Sequence, residues 1–516
     1  MTRGSIRSSA WKGAAFEIQI PVGSFLPRLV RRVVAKPAAR NLGSFAVLPF
    51  ASLSSDPGDA FFCKALADQL IEMRSRVPGV RVIGRMSAIK ARSQRVDIKV
   101  VSKLLGVNHV IEGSVQRARS RYRCIAQLFR TRDRVCIWSR RFECVVGESG
   151  DLFVFQNRIA GAVTAAVAQP KSADVEPPKR LVSGNVLARD LYDRARYLVQ
   201  VRNNEGLEKG IALLEQSIAL DPDFAPAHSQ LGIARSMYYG ILAYPTLPAF
   251  REVEQSARRA LALDPLDSEA RALIANMVFR VDRDWAKAEP MFREALRVAP
   301  NSASAHQSHA AALVFNGRYF RGLDHKRIAL DLDPLNITVR IHLAVITACA
   351  RTYRTAIDEF SKLLEIETER FYAHIILGST YLWASDGDAA MAHFDSACRI
   401  APGHPIPLFD RIFVHGMLGD RPRGWAMLAE LLENLEGRHF QVYNRAMAEA
   451  FLGDVDALCR SLRRSAEAHE LLFTSVPADP SFDAYRDDPV FVALMNEYRL
   501  PRLPPSPFAS GLDREA

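Results

Sequence analysis

The sequence predicts a multidomain chain, a small α/β domain followed by an all-α superhelical solenoid. Three observations carry this. Proline punctuates the chain from residue 222 on, at Pro222, Pro265, Pro300, Pro334 and Pro402, with Thr368 in the one missing place and a nearly constant interval after the first. Between residues 44 and 168 the apolar spacing shifts between strand-like runs and helical period, which a helical array alone does not need. Charge also divides the chain. Residues 1–141 hold 27 basic and 8 acidic side chains, a surplus of 19, and the remainder holds 41 and 49, a deficit of 8. The two parts are separate electrostatic bodies.

Length and composition set the class. The 516 residues, 48% hydrophobic and 24% charged, suit about three packed domains. No apolar run reaches the roughly 18–20 residues that cross a bilayer. The first 45 residues lack the apolar stretch of a secretory signal, so no membrane span and no export by that route are expected. Seven cysteines are scattered, with no CxxC pair. Neither a zinc ribbon nor a disulfide framework is indicated, and a reducing cytoplasm is the expected compartment.

The front domain is expected over 44–169. "SFAVLPF" (44–50) and "VRVIG" (80–84) read as buried strands. "DAFFCKALADQLIEMRSR" (59–76) places Phe62, Leu66, Leu70 and Met73 on one helix face. "DIKVVSKLLG" (97–106) is a helix stopped by glycine. "NHVIEGSVQRA", "RYRCIAQLFRT" and "RVCIWSRRFE" form a meander with turns at Arg119–Arg121 and Thr131–Asp133, and 152–168 closes the domain with a helix. At "AVLPF", "VIEGSV", "AQLF" and "IWSRRF" the chain resembles the TolB-like domain that precedes repeat arrays in bacterial regulatory proteins. It departs at Cys63-Lys64-Ala65, where relatives carry a small acidic-glycine step.

The basic segment 1–43 precedes this domain. "FEIQIPVGSFLPRLV" (16–30) resembles the C-terminal wing of the winged-helix regulators that share the architecture. The resemblance implies a truncated remnant whose recognition helix is missing. An irregular basic tail is the alternative.

After a linker at 170–186, a repeat array is expected over 187–402. The gaps between the punctuating residues are 43, 35, 34, 34 and 34. Proline cannot continue the helix before it, so each one ends a unit. Twelve residues earlier stand Ala288, Ala356 and Ala390, and four residues after those stand Phe292, Phe360 and Phe394. A small residue lets two helices approach, and the aromatic fills the space beyond. These residues resemble the tetratricopeptide repeat (TPR) family. Gly210 and Gly322 replace the alanine, and the long first gap is absorbed by "GILAYPTLP" (240–248). More divergent helical repeats are expected over 403–478 and a capping segment over 479–501, where Asp488 caps a helix that begins at Pro489. A Pro-rich tail, 502–516, is expected to be disordered.

No constellation for catalysis stands out. There is no GxxxxGK[ST] and no GxGxxG, "SAIK" (87–90) lacks the companions of an SxxK enzyme, and His306 and His309 share a helix face without further ligands. No cofactor, no metal and no enzyme activity are expected. In TPR proteins the first helix of each unit lines the concave face. Register alone then places Met277, Arg280, Gln307, Phe315, Tyr372, Leu382 and Trp383 there, for a protein or peptide partner. The resemblances imply a non-enzymatic interaction scaffold in a regulatory pathway. The alternatives are a DNA-binding regulator or its remnant, or an accessory chain of an adenylate cyclase. Nucleic acid would meet the basic first part without sequence preference.

Overall fold

In the computed structural model, residues 43–54, 59, 62–63, 66–71, 81–93, 98–118, 120–145, 151–167, 183, 185–201, 204–241, 247–366, 371–436 and 440–503 are described. The expected wing at 16–30, most of the expected linker and the tail beyond 503 lie outside them. A six-stranded sheet comes first: β1 (Ser44–Val47), β2 (Ala51–Ser52), β3 (Arg81–Val82), β4 (His109–Ala118), β5 (Arg121–Arg130) and β6 (Val135–Val145). Its order is β3-β1-β4-β5-β6, with β2 beside β4. β1 runs parallel to both neighbours, and β4, β5 and β6 form an antiparallel meander.

Burial explains the pattern. Every residue of β1 is buried, as a central strand covered on both faces must be. β5 alternates: Tyr122, Cys124, Ala126 and Leu128 face the core, while Arg121 and Arg123 face water. β6 is a charged edge in which Phe142 alone is buried. One side of the sheet is covered by Phe62, Leu66 and Leu70 together with the helix Asp151–Val167, through Phe155, Ile159 and Val163. The other side is covered by Arg85–Ser93 and Ile98–Leu105, through Ala91, Val101 and Leu105. The "SAIK" stretch therefore lies inside a helix that starts two residues earlier.

An all-helical solenoid follows. Eight helix pairs are formed among the described residues: Val186–Val201 with Asn204–Leu220, Ala225–Ile241 with Leu247–Leu263, Ser268–Arg280 with Trp285–Val298, Ala303–Phe315 with Tyr319–Leu332, Ile337–Cys349 with Tyr353–Ile366, Phe371–Trp383 with Gly387–Ile400, Pro405–Met417 with Arg421–Asn434, and Val442–Leu452 with Val455–Glu467. Short connections fold each second helix back on the first. From the first pair onward, first helices also touch the first helices of neighbouring pairs, so they form a continuous inner layer.

The repeat residues do what their size dictates. Ala288, Ala356 and Ala390 are fully buried, with Phe292, Phe360 and Phe394 behind them. At Gly322 even a methyl group would lie 2.5 Å from Val314 and 3.0 Å from the Ala310 carbonyl oxygen, so this pair sits closer than alanine allows. A second periodicity appears in the backbone. Arg283, Gly317, Arg351, Ser385, Gly419 and Gly453 all have positive φ, one for each turn between paired helices from the third pair on.

Candidate functional site: the inner face of the solenoid

The inner face is built differently at its two ends. At the first end the α/β domain docks onto it. The Gly84 N–H donates to the Leu332 carbonyl at 2.5 Å. Ser87 donates to Asp333 Oδ1 from its backbone N–H at 2.9 Å and from its hydroxyl at 2.5 Å. In return the Leu335 N–H donates to Ser87 Oγ at 2.7 Å. An N-terminal turn needs acceptors for its orphan N–H groups, and here a carboxylate of the solenoid supplies one. Arg81 adds a bond of 3.2 Å to the Asp331 carbonyl.

This docking leaves a cleft of about 430 Å³ between the domain and the inner helices. Its wall is polar. Gln230, Asn276, Asn301, Ser304, Gln307 and Ser308 face it from the solenoid, and Asp68 and Arg85 from the α/β domain. Asp68 Oδ1 lies 2.7 Å from Arg85 Nε, and Asp68 Oδ2 accepts from Arg196 Nη1 at 3.2 Å. Burial, then the charge of Asp68, pushes the nearby Asp193 carboxyl up to about 7.

At the other end the inner face is filled by the chain itself. Two short 3-10 segments, Leu471–Ser475 and Pro480–Tyr485, run back along it. Leu471 and Ala478 join a core containing Met277, Phe279, Phe315 and Ile346, and Phe473, Val476 and Phe482 join one containing Leu382, Phe409 and Tyr443. Arg351 donates to the Ala478 carbonyl at 2.6 Å and to Asp483 Oδ2 at 3.0 Å. Arg283 donates to the Ala466 carbonyl at 3.3 Å and covers the rings of Phe473 and Tyr498. The closing helix Pro489–Glu497 is capped by Asp488, which accepts from the Val490 N–H.

The residues predicted from register divide along this line. Met277 and Leu382 are 2% exposed core residues, and Phe315 is buried beneath the Arg280 guanidinium, 5.7 Å from its ring centre. Arg280 is spent on the Leu471 carbonyl, at 2.6 Å and 3.1 Å, with its guanidinium pulled down to about 10 by burial. Trp383 donates through Nε1 to Ser481 Oγ at 3.0 Å. Tyr372 is half-buried, edge-on to Phe371. Gln307 alone of the seven lines the cleft, where its amide meets His342. Register puts a side chain on the inner layer, but the chain's own C-terminal segment decides that Met277, Arg280, Phe315, Leu382 and Trp383 are packed or bonded internally.

Two features escape a reading by register. His306 donates or accepts at His325 through Nδ1–Nδ1 contact at 2.8 Å, and His374 meets His393 in the same way at 3.0 Å. Both pairs are 19 residues apart and lie at equivalent places two units apart, a spacing visible in the sequence. His309 stacks on Phe292 with neither ring nitrogen partnered. Lys326 stands where Phe292, Phe360 and Phe394 stand in other units, fully buried and without a hydrogen-bond partner. Among the described residues no group of three or more His, Cys, Asp or Glu is arranged to hold a metal ion, and no helix is long and apolar enough to cross a membrane.

No protein-family model matches the chain. Over 192 residues, 37% of its length, it is 32% identical to "Putative adenylate cyclase 3" of Rhizobium meliloti (strain 1021), and it spans 32% of the length of that relative. Among solved structures it is similar to YrrB, described as a TPR protein with an unusual peptide-binding site, at 19% identity with a TM-score of 0.26, covering 38% of this chain and 95% of that one. It is also similar to the human IFIT1 dimer with m7Gppp-AAAA, at 14% identity with a TM-score of 0.40, covering 62% and 77%.

Proposed function

We propose that the protein is a non-enzymatic interaction scaffold of the TPR type, and that a short polar segment of a partner protein enters the cleft beside Gln307. The observation that supports this is the division of the inner face. One end is filled by residues 471–485, and the other keeps a cleft of about 430 Å³ in which amides and hydroxyls stand beside carboxylates and apolar side chains. Amides and hydroxyls match the hydrogen-bonding groups of a peptide backbone. On the same footing, the α/β region is read as TolB-like, from the β1 and meander residues, and the setting as regulatory.

The test is capture of a partner by the full chain and by the Asn276→Ala, Gln307→Ala double variant. The expected result is loss of one specific partner with the melting temperature unchanged. Equal capture by both proteins would count against the cleft.

A second reading is favoured by the exposed Arg121 and Arg132 at the two meander turns and by the surplus of 19 charges in residues 1–141. We propose that any duplex nucleic acid is held there by phosphate contacts alone. Such binding weakens steeply between about 50 and 200 mM salt. Protection of one defined sequence at physiological salt would overturn it.

A further inference from the structure

β6 is the longest strand, eleven residues, and among the described residues it pairs on one side only, with β5. The ladder fixes which of its backbone groups face outward. The Thr131 N–H donates to the Asn108 carbonyl at 2.9 Å, so odd-numbered residues of β5 turn their backbone groups to β4 and even-numbered ones turn theirs to β6. By register, Ser139, Arg141 and Glu143 then face away from β5. The Glu143 carbonyl agrees, because it accepts from Arg158 of the helix Asp151–Val167. Ser139 and Arg141 present their N–H and carbonyl groups to a further strand. The side chains add apolar surface, with Val135, Ile137 and Val145 exposed by 45%, 44% and 59%. A long, apolar edge of this kind is a template for another strand. Its charge selects which one. Residues 121–145 hold seven arginines and two carboxylates, a surplus of five. Asp133 already meets Arg130 and Arg132, and Glu143 meets Arg123 and Arg141. Carried on to Arg158, the count is eight against four, so the chain that follows β6 does not cancel the surplus. Glu112 stands on β4, two strands from the edge.

We propose that β6 receives an extended acidic segment of a partner protein as an added strand. The backbone of that segment bonds to Ser139 and Arg141. Its carboxylates lie on the face of Arg123 and Arg141, and its apolar side chains lie on the face of Trp138 and Phe142, because successive residues of a strand alternate between faces. A second copy of the chain is the poorer occupant, since two paired β6 strands would bring like charges together at Arg140 and Arg141. Duplex nucleic acid would use the arginines and leave the backbone groups and the exposed valines bare. This surface is separate from the cleft and does not depend on the reading of it.

The probe is a short fluorescent peptide of alternating glutamate and valine, titrated into the full chain at physiological salt and read by anisotropy. The expected result is saturable binding that is weakened at least tenfold when every residue of the peptide is N-methylated, a change that keeps the charge and removes the backbone donors. Ser139→Pro should weaken the unmodified peptide by a similar factor. Its N–H faces away from β5, so proline there takes a donor from the added strand and none from the sheet. The N-methylated peptide carries the test alone if that variant does not fold. No saturable binding, or equal binding of the two peptides, overturns the proposal. A dimer of the chain that Ser139→Pro dissociates overturns it in favour of a second copy. Duplex DNA that binds more tightly than the peptide at the same salt and displaces it overturns it in favour of phosphate.

Discussion

Around Gln307 the inner helices look out on an open cleft, while around Trp383, two units further on, they look onto the chain's own C-terminal segment. The helices at both places obey the same 34-residue rule. What differs is the cover. The α/β domain grips the first end through backbone groups, the Ser87 hydroxyl and two carboxylates, Asp333 and Asp68, and leaves space beside it. The 3-10 segments fill the second end with Phe473, Val476 and Phe482. A repeat therefore fixes which side chains point inward, and non-repeating chain decides which of them become surface.

The largest effect expected from this contrast is at the filled end. Phe482 is fully buried between Tyr443 and Phe491, with ring centres 5.8 Å and 5.9 Å away. Phe482→Ala should cost about 3–5 kcal/mol, as aromatic truncations in a core do. A denaturation midpoint close to wild type would mean that the segment is a removable strap and would erase the difference between the two ends.

The next effect depends on pH. Burial holds the His306 and His309 rings down to about 4 and about 3, with His325, Arg321 and Arg293 adding like charge around His309. Their unfolded value is about 6.5. The unfolded chain therefore binds more protons below that value, and stability is lost as pH falls from about 6.5 toward 4. Each ring contributes a slope of at most about 1.4 kcal/mol per pH unit. His309→Leu, which copies the buried Leu377 two units on, should flatten the fall measured by urea denaturation between pH 6.5 and 4.5. An equally steep fall in that variant would move the acid sensitivity elsewhere.

Arg351 sharpens the comparison further. It occupies the left-handed turn position that Gly317, Gly419 and Gly453 fill in other units, at φ 65°. Its side chain, 10% exposed, holds Asp483 and the Ala478 carbonyl. Arg351→Ala should cost about 1.5–3 kcal/mol in lost charge-assisted bonds. Arg351→Gly should cost roughly 1 kcal/mol less, because glycine takes the turn without strain. Equal losses would show that the backbone there is not strained.

Much of this was legible in the residues. The unit length, the Ala288–Phe292 type of contact, the three meander strands and the Asp488 cap each follow from a local requirement that only certain side chains meet. The cover of the inner face was not legible for an equally physical reason. Arg280 and Arg283 bond to the carbonyls of Leu471 and Ala466, and every residue offers a carbonyl. The 3-10 segments carry no helical or strand period to betray which surface they seek. Ser87 and Asp333 are 246 residues apart, and nothing near either announces the other. Lys326 did leave a trace, since it breaks a 34-residue position that the phenylalanines define, and so did His325, which recurs as His393 two units on.

The smallest effect separates the two ends most directly. Gln307 and Trp383 were both placed on the inner layer by the same rule, and both are half-buried. Gln307 faces the cleft, and water replaces whatever its amide gives up. Gln307→Ala should therefore change stability by no more than about 0.5 kcal/mol, the range of a surface substitution. Trp383 is bonded to Ser481 in the packed segment, so Trp383→Ala removes both an indole and the partner of a buried hydroxyl. Its cost should be about 3 kcal/mol or more. The informative quantity is the ratio of the two losses in parallel urea denaturations. A large loss for Gln307→Ala would mean that the cleft side of the inner layer is core after all, and partner capture by the cleft variants would then have to be read as a folding defect. A small loss for Trp383→Ala would mean that the C-terminal segment rests lightly on the layer and that the filled end opens in solution.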